Sequence, residues 1–144
     1  MARPLRYPST RYRIETPADL GTREARGRLS GPGLKAFFTM MDRWKIRDED
    51  ARALLGGVTN GPFYEMKKEP DRVLDTDRLT RISYLIGIFK ALQILHGRPL
   101  ADEWVQLPNS NPIFAGETPL AYMIRGGLPA MQTVRRLLDA RRAG

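Results

Sequence analysis

Residues 75–96, DTDRLTRISYLIGIFKALQILH, carry the clearest periodicity in the chain. Leu79, Ile82, Leu85, Ile86, Phe89, Leu92 and Leu95 recur at steps of three and four, which stacks them on one face of a helix. Gly97 and Pro99 then stop it. The stretch therefore predicts one long amphipathic helix about which a small helical core can form.

Working upstream, Leu34, Phe37, Phe38, Met41 and Trp44 keep the same spacing and predict a preceding helix. After Ile46, the acidic run Asp48-Glu49-Asp50 suits the positive end of a helix dipole. Ala51, Leu54 and Leu55 supply its apolar face before Gly56-Gly57 ends it. Thr59 can cap a third segment that runs through Pro62, Phe63, Tyr64 and Met66 to Lys68 and stops before Pro70. Two short helices about a glycine turn form a helix-turn-helix layout. Residues 1–33 mix Arg with Pro4, Pro8, Pro17, Pro32 and several glycines, so they are expected to form a basic, irregular arm, with at most one helical turn near Thr16–Leu20.

Downstream, Leu100–Leu107 reads as a short helical stretch around Trp104, closed by Pro108. Asn109-Ser110-Asn111-Pro112 is a dense turn cluster. Thr118-Pro119 opens a helix that Gly126-Gly127 terminates, and Pro129 opens the last one. In that last helix Met131, Val134, Leu137 and Leu138 are expected inward, with Arg135, Arg136, Arg141 and Arg142 largely outward. No alternating strand pattern occurs. The expected fold is all α, with a helix-turn-helix domain at 34–74, a connecting core helix at 75–100 and a small helical domain at 101–144.

The 144 residues suit one domain, and 42% hydrophobic with 28% charged residues is ordinary globular usage. With no Cys and one His, cysteine-based metal sites and thiol nucleophiles are excluded, and a Ser-His-Asp triad has only His96 to draw on. His96 falls in a last helical turn with no evident Asp or Ser partner, and Asp48-Glu49-Asp50 needs no metal to explain it. No catalytic residue, metal or cofactor is expected. No apolar run approaches the roughly 20 residues of a membrane span, and the first thirty residues lack the apolar centre of a secretory signal, so a cytoplasmic location is expected.

The formal net charge is +8, and it is unevenly spread. Residues 1–30 hold seven Arg against three acids, residues 31–75 hold eight basic and eight acidic residues, and residues 76–144 hold nine against five. Basic ends favour a polyanionic partner. If the helix-turn-helix reads DNA, the start and flanks of its second helix place Thr59, Asn60, Tyr64, Lys67 and Lys68 at bases and phosphates. The same segment is electrically neutral and carries Glu65, so the arm, through Arg3, Arg6, Arg11 and Arg13, would have to follow the phosphate backbone. Near the other end, the apolar pair Ile113-Phe114 sits within a polar turn, so it must either tuck into the core or be covered by a partner. Arg135, Arg136, Arg141 and Arg142 suit a helix C-terminus, or an acidic or phosphate-binding cleft of another protein.

One set of residues resembles a known family. The run Arg81-Ile82-Ser83-Tyr84-Leu85-Ile86-Gly87-Ile88-Phe89-Lys90-Ala91-Leu92 is followed in order by Trp104-Val105, Pro108-Asn109, Ile113-Phe114, Gly116, Thr118-Pro119-Leu120, Gly126-Gly127-Leu128 and Val134-Arg135-Arg136. In order and spacing they resemble the Xre/MbcA/ParS antitoxins over about residues 34–144. The resemblance implies a type II antitoxin that holds a RES-domain toxin, a NAD-degrading or ADP-ribosylating enzyme, inactive. It also implies homodimers and repression of the chain's own operator. It places the helix-turn-helix at about Ile46–Lys68 and the toxin-binding module at about Ala101–Gly144, with Pro108, Asn109, Phe114 and the final helix shaping the toxin-facing surface. Arg141, Arg142 and the Gly144 carboxylate, at the chain end, are then expected near the toxin's nucleotide pocket. Gly61-Pro62 and Glu65 stand where relatives tend to be more polar and basic. The rival reading is a stand-alone helix-turn-helix transcription regulator.

Overall fold

The computed structural model describes residues 20–143. The arm residues Arg3, Arg6, Arg11 and Arg13, the expected turn at Thr16 and the terminal Gly144 lie outside them. Among the described residues six α-helices run in order: α1 (Arg23–Trp44), α2 (Asp48–Leu54), α3 (Asn60–Lys68), α4 (Thr76–Leu95), α5 (Leu100–Glu103) and α6 (Pro119–Ala143). Two 3-10 turns, Trp104–Gln106 and Pro112–Phe114, lie between α5 and α6. The described residues contain no strand, as the sequence predicts.

Helix α4 is the axis of the molecule, packed against α1 on one side and α6 on the other, with α5 across its end. Asp75 caps it by accepting a hydrogen bond from the Arg78 amide at 2.8 Å, and the expected stripe is largely interior: Leu79, Ile82, Leu85 and Leu92 are all buried. Trp44 and Trp104 are core anchors, 1% and 6% exposed. The side chains form one continuous cluster from Leu20 to Leu138, so burial ties both ends of the described residues to a single core.

Helix α1 departs from the expected layout. It begins at Arg23, eleven residues before Leu34, and runs straight through Gly31-Pro32-Gly33. Three small residues explain this, because Gly27, Ser30 and Gly31 share the face on which residues 70–74 lie. A Cβ on Gly27 would be 3.6 Å from Val73, and one on Gly31 would be 3.2 Å from the Asp71 carboxylate. Ser30 is fully buried there, its Oγ accepting from the Leu74 amide at 2.8 Å and donating to the Arg26 carbonyl at 2.6 Å. Pro32 lies on the exposed side, so tertiary packing overrides the local breaking tendency of the Gly-Pro-Gly run.

Near the C-terminus, Thr118 Oγ1 accepts from the Ala121 amide at 3.1 Å and starts α6. Gly127 (φ 65, ψ −146) breaks the helix where the sequence predicts a stop, in a conformation open essentially only to glycine. The second half of α6, opened by Pro129, lies against α4. No helix among the described residues is long and apolar enough to cross a membrane.

Candidate functional site

The segment between α5 and α6 is irregular in path but tightly fixed. Asn109 Oδ1 accepts from the Asn111 amide at 2.9 Å, and Asn111 Oδ1 accepts from the Ile113 amide at 3.1 Å, two side-chain turns in series. The Phe114 amide donates to the Asn111 carbonyl at 3.0 Å, and the Glu117 amide to the Phe114 carbonyl at 2.8 Å. Ala115 (φ 48) and Gly116 (φ 83) then turn the chain back into α6. Arg125 pairs with Glu117 across this base.

The Ile113-Phe114 pair divides. Phe114 is wholly buried, with its ring edge-on to Trp104 at 6.1 Å and to Tyr122 at 5.2 Å. Ile113 points out, 38% exposed, and so does Leu107 at 42%. Pro108 and Pro112 are exposed beside them, and Asn109 is half-buried. An aromatic anchor thus pins a short apolar loop against the core and presents its outer residues to solvent, in a shape set before any partner arrives.

The basic residues of α6 also divide, and one expectation is corrected. Arg135 is not outward: it is 9% exposed, its Nε donating to both Asp139 oxygens at 3.1 and 2.9 Å. Its guanidinium lies on Gly87 of α4, where a Cβ would fall 1.5 Å from Nη1. The sequence could not show this, because the recess that admits Arg135 belongs to a residue 48 positions earlier. Arg142 is half-buried and also reaches Asp139, at 3.6 Å. Arg136 and Arg141 are exposed and form no ion pair among the described residues.

Helix α3 presents a second polar surface. Phe63 and Met66 turn inward, while Asn60, Tyr64 and Lys68, spaced by four, form an outer row. Tyr64 is 62% exposed. Thr59 stands at the cap position without a side-chain capping bond. Lys67 is tied down, its Nζ 3.2 Å from Asp48 Oδ1 and 5.8 and 5.9 Å from the Phe38 and Phe63 ring centroids. Among the described residues no group of His, Asp or Glu could hold a metal ion.

Sequence reasoning missed a junction between the two halves. Asp102 of α5 receives Arg43 from α1, Gln93 from α4 and Arg98 from the connecting loop. Burial alone would push its carboxyl up, but the hydrogen bonds from Arg43 and Gln93 and the charges of Arg43 and Arg98 outweigh that and hold it below the ordinary 3.8. An Asp on a short helix gives no hint of this, since its partners all come from outside that helix.

Residues 91–144, which include α5, the fixed loop and α6, match a family described as the antitoxin Xre/MbcA/ParS C-terminal toxin-binding domain. The chain belongs to the Xre/MbcA/ParS antitoxin family. It is also 37% identical over 112 residues to a protein of Sinorhizobium fredii (strain NBRC 101917 / NGR234) that bears the name "Uncharacterized protein y4oB", the match covering 77% of this antitoxin and 84% of the relative. No solved structure matches. The match to the toxin-binding domain gives the chain an antitoxin role and a toxin as partner.

Proposed function

We propose that this antitoxin silences a RES-type toxin, a NAD-degrading or ADP-ribosylating enzyme, by covering its active-site cleft with the Leu107–Ile113 loop and the C-terminal part of α6. The observation that carries the reading is the loop itself. Leu107 and Ile113 are held exposed by two asparagine turns and by buried Phe114, inside the residues that match a toxin-binding domain. Such a surface binds without losing much loop entropy, and its apolar centre with a polar rim is the usual anatomy of a protein interface. Pro108 and Asn109 shape the loop, and Phe114 supports it from below. Arg136 and Arg141, which form no ion pair among the described residues, supply positive charge toward an anion-binding cleft, with Arg142 on the same stretch of α6. Arg135 acts by positioning α6 on α4, since it is buried against Gly87. Inhibition of this kind requires no catalytic group in the antitoxin.

The same chain would repress its own operator as a homodimer. What supports this is the outer row of Asn60, Tyr64 and Lys68 on α3, with Thr59 at its start and Lys67 at its flank, behind a short α2 and a glycine turn. Co-expression with a neighbouring RES-type reading frame tests the first part. The expected result is a stable complex, with NAD loss when the antitoxin is absent. A toxin that neither co-purifies nor loses activity would leave a stand-alone regulator as the better description.

A further inference from the structure

Between α1 and α4 lies a cavity of about 320 Å³. One wall is apolar, formed by Leu29 and Pro32 of α1 with Ile82 and Ile86 of α4. Beside Ile82 and Ile86 on α4 runs a helical stripe: Ser83, Gly87 and Lys90. Among the described residues, no acid lines the cavity.

The polar stripe is unusual in being unpaired. The hydroxyls of Ser30, Thr39, Thr80 and Thr133 each donate to the carbonyl four residues back, as helical Ser and Thr commonly do. The Ser83 hydroxyl makes no such bond, and Lys90 has no ion pair among the described residues. At the middle of the stripe stands Gly87, and against it lies the Arg135 guanidinium, whose buried Nη1 has no hydrogen-bond partner among the described residues. An apolar slot is thus bordered by one hydroxyl and one ammonium with no ion pair among the described residues, and the Arg135 guanidinium, itself paired with Asp139, lies beside its glycine wall.

We infer that this cavity binds a small amphipathic carboxylate, its acyl chain against Ile82 and Ile86 and its anionic head at Lys90. Lys90, the one charged group among the described lining residues, selects a negative head, and the apolar wall selects a hydrocarbon tail. The step from Ser83 to Lys90 spans about 10 Å of helix, the extent of a medium-length acyl chain. This site is independent of the toxin-binding reading, since the groups that hold tail and head, Ile82, Ile86 and Lys90, all lie on α4.

Calorimetric titration of the whole antitoxin with decanoate, below its micelle concentration, tests the inference, with decanol and decyltrimethylammonium as probes of equal tail. The expected result is saturable one-to-one binding of decanoate, weaker binding of the other two by about tenfold or more, and a loss of about tenfold in Lys90→Met. Because Lys90 is exposed, that variant keeps the fold, and its far-ultraviolet circular dichroism should be unchanged. Equal binding of all three probes, no saturable binding, or an unaltered affinity in Lys90→Met would overturn it. So would a ligand-free dimer that Ile86→Glu dissociates, because a second copy would then fill the groove.

Discussion

Arg43 and Asp102, 59 positions apart, meet in a two-pronged ion pair: Nε to Oδ2 and Nη2 to Oδ1, both at 3.0 Å. This contact fastens α1 to α5 at the point where Arg98 and Gln93 also converge. Removing the carboxylate leaves three polar side chains without their acceptor. Asp102→Ala is expected to cost about 1–3 kcal/mol, measured by urea unfolding.

The same carboxyl fixes a pH dependence. Its folded value lies below the ordinary 3.8, so its contribution is fully present above the unfolded value and is lost as pH falls through the folded one. Unfolding free energy should therefore decline below about pH 4, and Asp102→Asn should flatten that decline relative to the native chain. An identical acid slope in both proteins would count against the assignment.

Gly87 and Arg135 form a second pair whose effect changes sign with context. Alanine normally stabilises a helix interior over glycine by about 1 kcal/mol. Here the new methyl would collide with the Arg135 guanidinium and displace it from Asp139. Gly87→Ala should thus lower stability by about 1 kcal/mol in the native chain and raise it by about 0.5–1 kcal/mol in an Arg135→Ala background. Thermal melts of the four proteins of this cycle give the answer.

On the loop, inner and outer residues should separate stability from binding. Phe114→Ala empties the pocket between Trp104 and Tyr122 and is expected to cost about 3–5 kcal/mol. Leu107→Asp and Ile113→Asp change exposed side chains and should leave the melting temperature nearly unaltered while weakening toxin binding by about tenfold or more. Surface plasmon resonance beside a thermal melt measures both.

For operator DNA, Lys68→Ala should weaken binding across sequences and reduce the salt slope by about one, whereas Asn60→Ala should relax sequence preference. A salt-dependent gel-shift series on the upstream DNA distinguishes the two. Unchanged binding in both variants would remove α3 from the interface.

Much of the helical plan was legible because it is local. The stripe from Leu79 to Leu95, the Thr118 cap and the Gly127 stop depend on spacing and backbone chemistry within a few residues. The features that stayed hidden depend on distant neighbours. Gly31-Pro32-Gly33 reads as a break, yet Gly31 makes room for the loop at 70–74 and the helix continues. Ile113 and Phe114 are equally apolar, and only the ring cluster with Trp104 and Tyr122 decides which one is buried. Arg135 reads as a surface cation until Gly87 is seen to admit it.

The fixed loop is proposed to cover the toxin's NAD site. The most direct test of this is the rate of NAD consumption by the purified RES-type toxin, titrated with the native antitoxin and with Leu107→Asp/Ile113→Asp. Complete inhibition is expected near stoichiometric native chain, with the midpoint shifted at least about tenfold by the double variant. Equal inhibition by the two chains would contradict it.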